Sequence, residues 1–204
     1  MIKIAGIQIH SKSDINENLN KSKSFMDLAV QQGAKIIAFP ALFLTQWFPS
    51  EMNEEYFELA ETCKGKSISF FRDYSKKNKV ILIIPFFEKF RKSFYNSTAV
   101  IENGKLLGVY RKVHIPQIPH WEEKYYFKSG EGFPVFNTSV CKIGVQICWD
   151  NFFFEGYRCL ALNGAELVVT PTASAMNTQS RWKVVLSTHA LLNNVYIFRV
   201  NRVG

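Results

Sequence analysis

Apolar and polar positions along the chain form short strand-like segments, separated by longer segments with helical spacing. The strand-like segments are brief apolar or alternating runs bounded by turn-forming residues. Asn103-Gly104 lies between two of them and is typical of the tight turn of a β-hairpin. The predicted strands are 2–8, 35–39, 80–87, 94–102, 106–111, 142–147, 167–170 and 195–201.

Four segments carry apolar residues at the spacing of an amphipathic helix. Gly33 follows the last apolar position of the first of them and marks the end of that helix. The predicted helices are 16–32, 67–77, 154–163 and 181–193. This alternation predicts an α/β protein with buried sheets, and 204 residues suffice for one domain, residues 1–204.

A long segment with little periodicity, 113–134, interrupts the alternation and contains three prolines. Loops of this length inside a domain are usually functional. At the other end of the pattern, the apolar segment 195–201 lies only three residues from Gly204. We therefore expect the domain to lack a C-terminal part in this chain.

Composition narrows the class of protein. Apolar residues make up 47% of the chain and include 18 phenylalanines, which excludes a mainly disordered protein. No apolar run approaches the roughly 20 residues of a membrane span, and no basic stretch leads into an apolar one near the N-terminus. We therefore expect no membrane association and no signal peptide. The four cysteines lack a paired spacing, which predicts reduced thiols and a cytoplasmic protein.

The net charge of +8 raises the question of a nucleic-acid partner. The basic residues occur in short, scattered groups, and no nucleic-acid-binding motif accompanies them. We interpret the charge as a solvated basic surface and expect no nucleic-acid partner.

Cys148 is the most specific candidate for chemistry. It follows an apolar strand, and the carboxyl ends of strands are where α/β folds present functional groups. A cysteine there can act as a nucleophile if a neighbouring base or cation generates its thiolate. Lys112 closes another predicted strand, and a lysine fixed beside a thiolate would stabilise both the thiolate and an oxyanion formed on attack.

Two acidic residues in the long loop, Glu122 and Glu123, are surrounded in sequence by aromatic residues. A carboxylate buried among aromatic rings must be paired or functional, because burying it alone is costly. Otherwise the two residues are solvated loop acids.

Several segments occur in an order that resembles the carbon–nitrogen hydrolase (nitrilase) family. They are IIAFPALFLTQW, VYRKVHIP, EKYYFKSGEGFPVF, GVQICWDNFFFEGYR and HALLNNVYIFRVNRVG. The resemblance runs through nearly the whole chain. Within the family, the HIP loop, EKYYF, ICWD and GAELVVTPTAS look most like the members that hydrolyse N-carbamoylputrescine to putrescine, carbon dioxide and ammonia in polyamine biosynthesis.

The resemblance implies a four-layer α-β-β-α sandwich and a Glu–Lys–Cys triad that attacks amide, ureido or nitrile carbons. Cys148 matches the nucleophile, Lys112 the cation that stabilises the oxyanion, and the backbone N–H of Trp149 a second oxyanion donor. Glu123 matches an additional glutamate that orients the lysine and water. A further set after the nucleophile matches a structural salt-bridge cluster of the family: Asp150, Glu155 and Arg158.

One position departs from the family pattern. The family has a glutamate after the proline that ends its second strand, and here Ala41 follows Pro40. Alanine cannot take the thiol proton, so we expect this chain to be inactive or nearly so. We favour an engineered alanine over a natural pseudoenzyme, because Lys112, Glu123 and Cys148 are all in place.

For N-carbamoylputrescine, the site needs an apolar wall along the stem and a partner for the distal ammonium. Glu122 and Glu131 are candidates for that partner, whereas Arg181 would suit a carbamoyl acid of the β-ureidopropionase type. The sequence is also compatible with an amidase, a nitrilase or a non-catalytic ligand-binding protein of the same fold. The wall residues we predict are Trp121, Tyr125, Trp149 and Phe152.

The four histidines lack metal-ligand spacing, and no glycine-rich phosphate loop is present. We therefore expect no metal and no cofactor, and a small molecule as the only non-protein partner. The resemblance also implies a homo-oligomer.

Overall fold

Two β-sheets organise residues 1–203, the part of the chain that the computed structural model describes. The first sheet has five strands in the order β1-β2-β3-β4-β5, and the second has four in the order β6-β7-β8-β9. The strands are β1 (Ile4–Gly6), β2 (Ile36–Ala38), β3 (Ile81–Phe90), β4 (Ser93–Glu102), β5 (Lys105–Arg111), β6 (Val135–Asn137), β7 (Lys142–Val145), β8 (Leu167–Thr172) and β9 (Tyr196–Asn201).

Each sheet contains both parallel and antiparallel strand pairs. In the first sheet β1, β2 and β3 are parallel, while β3, β4 and β5 are antiparallel. In the second, β6 pairs antiparallel with β7, and β7, β8 and β9 are parallel. Asn103 and Gly104 both have positive φ angles, of 49° and 77°, which confirms the predicted tight turn between β4 and β5.

The side chains of each central strand alternate between two apolar layers. In β2, Ile36 and Ala38 pack in the layer between the two sheets, whereas Ile37 packs against the helices of the first sheet. In β8, Val169 joins the layer between the sheets and Val168 packs against helices on the opposite side. Apolar residues on both faces of these strands therefore produce sheets that are buried on both faces.

Helices cover the outer face of each sheet. The helices are α1 (Ile15–Gln31), α2 (Lys66–Asn78), α3 (Glu123–Tyr126), α4 (Phe154–Leu162) and α5 (Gln179–Asn193). Buried residues of α1 and α2 pack on the first sheet, and those of α4, with one flank of α5, pack on the second. The result is the expected four-layer α-β-β-α sandwich. Within residues 1–203, none of the helices is both long and apolar enough to cross a membrane.

The four predicted helices and eight predicted strands all form, with shifts at their ends. The first strand is shorter than predicted, and the hairpin strand β3 runs on to Phe90 because its last residues pair with Phe94 and Ser93 of β4. Two short elements among the strands and α-helices were not predicted. They are β6, which is only three residues long, and α3, a single turn inside the long loop.

Candidate active site

Cys148 occupies a strained turn at the end of β7. It begins a short 3₁₀ helix (Cys148–Phe152), is 5% exposed and has a φ angle of 45°, an uncommon backbone conformation for a residue with a side chain. Its Sγ donates a long hydrogen bond of 3.7 Å to the carbonyl oxygen of Ala173. The turn therefore presents a buried thiol where the predicted strand ends.

Lys112 and Glu123 form an ion pair with no solvent-exposed side-chain surface. Lys112 follows the last residue of β5, and its Nζ lies 2.7 Å from both carboxylate oxygens of Glu123, the first residue of α3. Asn96 of β4 donates a further hydrogen bond of 3.2 Å to Glu123 Oε2. The long loop thus places a carboxylate beside the sheet, where it fixes the lysine.

The charges around Cys148 act on its thiol in opposite directions. Burial raises the pKa of the Cys148 thiol above its ordinary value, although the ammonium of Lys112 acts to lower it. Burial alone would lower the pKa of Lys112, but the carboxylates of Glu123 and Asp150 help to raise it above its ordinary value. The lysine is therefore charged at neutral pH and the thiol is protonated, so attack requires a base to remove the thiol proton.

The backbone of the turn offers a donor for developing negative charge. The N–H of Trp149 makes no hydrogen bond to any described residue, whereas Asn151 Nδ2 donates to the Cys148 carbonyl oxygen at 2.7 Å and holds the turn in place. A free N–H beside the Cys148 thiol is the arrangement that would stabilise an oxyanion formed on attack by that thiol.

Asp150 is buried and accepts hydrogen bonds from β5 and from the loop that follows it. Its carboxylate accepts from the Tyr110 hydroxyl at 2.6 Å, and from the backbone N–H of His114 at 2.8 Å; its Oδ1 also lies 2.9 Å from His114 Nδ1. The predicted salt-bridge cluster of Asp150, Glu155 and Arg158 is wrong. Glu155 and Arg158 are exposed, and the Arg158 guanidinium donates to the carbonyl oxygen of Leu192 instead.

Ala41, at the position of the family's glutamate, is fully buried in the apolar layer that also contains Cys148. The next residue, Leu42, has a φ angle of 49°. Arg202 donates hydrogen bonds to the carbonyl oxygens of Ala41, Leu42 and Thr45, at 3.2, 2.7 and 2.8 Å. Arg202 was not predicted, because nothing in its sequence context links it to a loop about 160 positions earlier.

A cavity of about 340 Å³ opens onto Cys148. Three of the predicted wall residues, Trp121, Trp149 and Phe152, line it. Glu122 and Tyr125 do not; the Glu122 carboxylate accepts a hydrogen bond from the Gln117 amide, and their part in binding stays a prediction. Other lining residues that bear on ligand binding are Ala173, Ser174, Arg181 and Trp182.

The sequence analysis named neither Ala173 nor Trp182, which line the cavity, nor Arg199, which contacts Trp182. The Trp121 indole N–H donates a hydrogen bond of 3.1 Å to the same Ala173 carbonyl that accepts from the Cys148 thiol. Arg199 stacks over the Trp182 ring at 4.3 Å. The position of Ala173 just after a strand is a signal that the sequence does contain. Which side chains lie near Cys148 depends on the arrangement of loops that are far apart in the chain, and the sequence does not show that arrangement. Within residues 1–203, no three His, Cys, Asp or Glu side chains cluster as metal ligands would.

Comparison with known proteins places this site in a family. A sequence profile described as "Carbon-nitrogen hydrolase" matches residues 3–204. An N-carbamoylputrescine amidase of Solanum lycopersicum is 36% identical over 214 aligned positions, which cover 100% of this chain and 71% of the relative. A citrullinase of Francisella tularensis subsp. tularensis is 37% identical, over 98% of this chain and 74% of the relative.

A solved structure shares the fold closely. The crystal structure of a carbon-nitrogen hydrolase from Helicobacter pylori G27 aligns with a TM-score of 0.92 at 30% identity, and the alignment covers 98% of this chain and 73% of that one. The sequence profile, the relatives and this structural match agree with one another across nearly all of the chain. The chain belongs to the carbon-nitrogen hydrolase family.

Proposed function

We propose that the site of this chain takes a small linear ureido compound, with the ureido carbon at Cys148, and is built to hydrolyse its carbon–nitrogen bond. The observation that carries the proposal is the cavity that opens onto Cys148, a thiol next to the buried Lys112–Glu123 pair. A thiol nucleophile beside a fixed cation suits attack on a carbon that bears a carbonyl oxygen.

The reaction would run in two halves. The Cys148 thiolate bonds to the ureido carbon, and the oxyanion that forms is stabilised by the Lys112 ammonium and the Trp149 N–H. The bond to the terminal nitrogen breaks, and that nitrogen leaves as ammonia after it gains a proton. Water then adds to the thioester-like carbon, the carbon–sulfur bond breaks, and the carbamate product loses carbon dioxide to give the amine.

Both halves need a group that accepts and returns a proton, and Ala41 has none. Loss of a general base costs on the order of 10²–10⁴ in rate. We therefore propose that this chain binds substrate but turns it over at a small fraction of the rate that a glutamate at position 41 would permit. The alanine at position 41 also favours a second candidate function, that of a protein that binds the ligand without catalysis.

N-carbamoylputrescine is the first substrate to test, since several relatives carry its name. Trp121, Trp149 and Phe152 would contact its methylene stem. The name citrullinase for another relative of similar identity makes a ureido compound with an acidic group the second substrate. Both share the ureido end and differ at the other.

The test is ammonia release by this chain, by Ala41→Glu and by Ala41→Gln. Glutamine matches glutamate in shape but cannot act as a base, so it separates base chemistry from filling the space at position 41. We expect ammonia release by Ala41→Glu to exceed that of the other two by about 100-fold or more. Equal rates for all three would show that position 41 is not the base.

Binding distinguishes the remaining outcomes. If Ala41→Glu releases no ammonia from any ureido compound but still binds one in calorimetry, the proposed hydrolysis is overturned and the ligand-binding function remains. If Ala41→Glu neither releases ammonia from these compounds nor binds them, the ureido substrate class itself is overturned.

A further inference from the structure

The charged groups around the cavity are unevenly distributed. Its lining includes one basic residue, Arg181 near the start of α5, and no acidic residue among those described. The rest of the lining is aromatic, aliphatic or hydroxyl-bearing, apart from the thiol of Cys148. Arg181 is therefore the only lining residue that carries a full charge, and that charge is positive.

Arg181 differs from the two other arginines on this side of the molecule. Arg199 donates to Gln179 Oε1, Thr172 Oγ1 and the Ser174 hydroxyl. Arg202 is committed to backbone carbonyl oxygens of the loop after β2. The Arg181 side chain is exposed and makes no hydrogen bond or ion pair with any residue in 1–203, so its five N–H donors are available to a ligand.

None of these three guanidinium groups is paired with a carboxylate in the described residues, so the field on this side of the cavity is positive. Glu122, the predicted partner for a distal ammonium, lies outside the lining and bonds to Gln117. An ammonium placed near Arg181 would lose hydration and gain no opposite charge. A carboxylate there could accept two parallel N–H hydrogen bonds from the guanidinium.

We propose that the substrate of this site is a linear ureido acid, whose carboxylate binds Arg181 while its ureido carbon lies at Cys148. The inference rests on the proposed function and names the substrate class within it. Arg181 then determines which end group is accepted, and it takes no part in the reaction at the ureido carbon. A ureido amine such as N-carbamoylputrescine would be the poorer ligand.

The test compares two ligands of similar length that differ in their end group, N-carbamoyl-4-aminobutyrate and N-carbamoylputrescine. Because Ala41 limits turnover, calorimetry on the chain as it is measures binding alone. We expect the acid to bind at least about 10-fold more tightly than the amine. Arg181→Gln should weaken binding of the acid by about 10- to 100-fold and leave binding of the amine unchanged or improved.

Arg158→Gln is the matched control, because it removes an exposed arginine of α4 that does not line the cavity. It should leave binding of both compounds unchanged. Arg181→Glu should reverse the preference in favour of the amine. Tighter binding of the amine by the original chain, equal effects of Arg181→Gln and Arg158→Gln, or binding of neither compound would each overturn the inference.

Kinetics in the Ala41→Glu background separates this inference from the proposed function. If both hold, the acid is hydrolysed, and Arg181→Gln raises its KM about 10- to 100-fold with little change in kcat. If the acid binds through Arg181 but no ammonia appears, the proposed hydrolysis fails and the inference stands. If ammonia is released from the amine in preference to the acid, the proposed function stands and the inference fails.

Discussion

Lys112 Nζ lies 2.7 Å from each carboxylate oxygen of Glu123, and both side chains are completely buried. The pair joins the end of β5 to the first turn of α3, so one contact fixes both the lysine and the loop that carries the glutamate. Removing one member of a buried pair leaves the other as an uncompensated charge.

Glu123→Gln is therefore expected to destabilise the fold by about 3–5 kcal/mol, as is typical when one partner of a buried pair is lost. Urea unfolding measures the effect. Lys12→Met, which breaks the exposed pair between Lys12 and Glu17, is the control and should leave the free energy of unfolding essentially unchanged. A Glu123→Gln protein as stable as the original would show that the buried pair contributes nothing net.

The thiol of Cys148 should react slowly at neutral pH. Burial raises its pKa above 9.0, so the thiolate is under about one hundredth of the total at pH 7. Site-resolved mass spectrometry of iodoacetamide alkylation should give a Cys148 rate that rises up to and beyond pH 9. The exposed Cys159 should react faster at pH 7.

Lys112→Met provides the matched variant for this measurement. Because the Lys112 ammonium acts to lower the pKa of Cys148, its removal should move the Cys148 profile to still higher pH. An inflection below pH 8 in the original chain would contradict the description of Cys148 as a protonated thiol.

Two glycines of the long loop should respond differently to the same substitution. A Cβ at Gly130 would lie 2.2 Å from the backbone oxygen of Arg111, whereas a Cβ at Gly132 would meet nothing within 4 Å. Gly130 also donates its N–H to the Lys112 carbonyl at 2.8 Å, so a shift of the loop would disturb Lys112 and its ion pair with Glu123.

We expect Gly130→Ala to cost about 1–3 kcal/mol of stability and Gly132→Ala to be neutral or slightly stabilising. Thermal or urea unfolding of the two variants measures the difference. Equal melting behaviour would mean that the loop can move away from β5 without loss.

The layered fold could be predicted from the sequence because its signals are local. Apolar runs with turn residues at their ends marked the strands, and three- to four-residue spacing marked the helices. The tight turn at Asn103-Gly104 is confirmed for the same reason. The single turn α3 lies inside the long segment without periodicity and the three-residue strand β6 directly follows it, so neither was predicted.

The site could be predicted only in part. Cys148 and Lys112 each follow a strand, and both were found from that position, but the resemblance to a family supplied their roles. The sequence could not reveal that Arg202 bonds to the loop of Ala41, or that Asp150 bonds to Tyr110 rather than to Arg158. Such contacts join segments far apart in the chain, and the fold alone decides which of several polar side chains meet.

A second ion pair, between Glu88 and Arg111, gives a pH-dependent prediction. Glu88 is buried, and Arg111 donates two hydrogen bonds of 2.7 Å to its carboxylate; the Ser97 hydroxyl donates another of 2.7 Å. Burial alone would raise the pKa of Glu88, but these bonds hold it below its ordinary value of 4.5. The pair therefore contributes stability above about pH 4.5, and this contribution is lost as the pH falls through the lowered pKa.

Arg111→Gln would leave Glu88 buried without its cation, which should destabilise the fold at pH 7 by about 3 kcal/mol. In this variant burial is no longer offset, so the pKa of Glu88 rises and the carboxyl becomes protonated at a higher pH than in the original chain. Urea unfolding at pH 7 and pH 5 should then show that the free energies of unfolding of the variant and of the original chain differ less at pH 5 than at pH 7. The Arg111 guanidinium also lies 4.2 Å from the ring of Phe90 and 4.6 Å from the ring of Tyr95. If the difference in the free energy of unfolding stays constant or grows as the pH falls, Arg111 stabilises the fold by packing over these rings rather than by its charge.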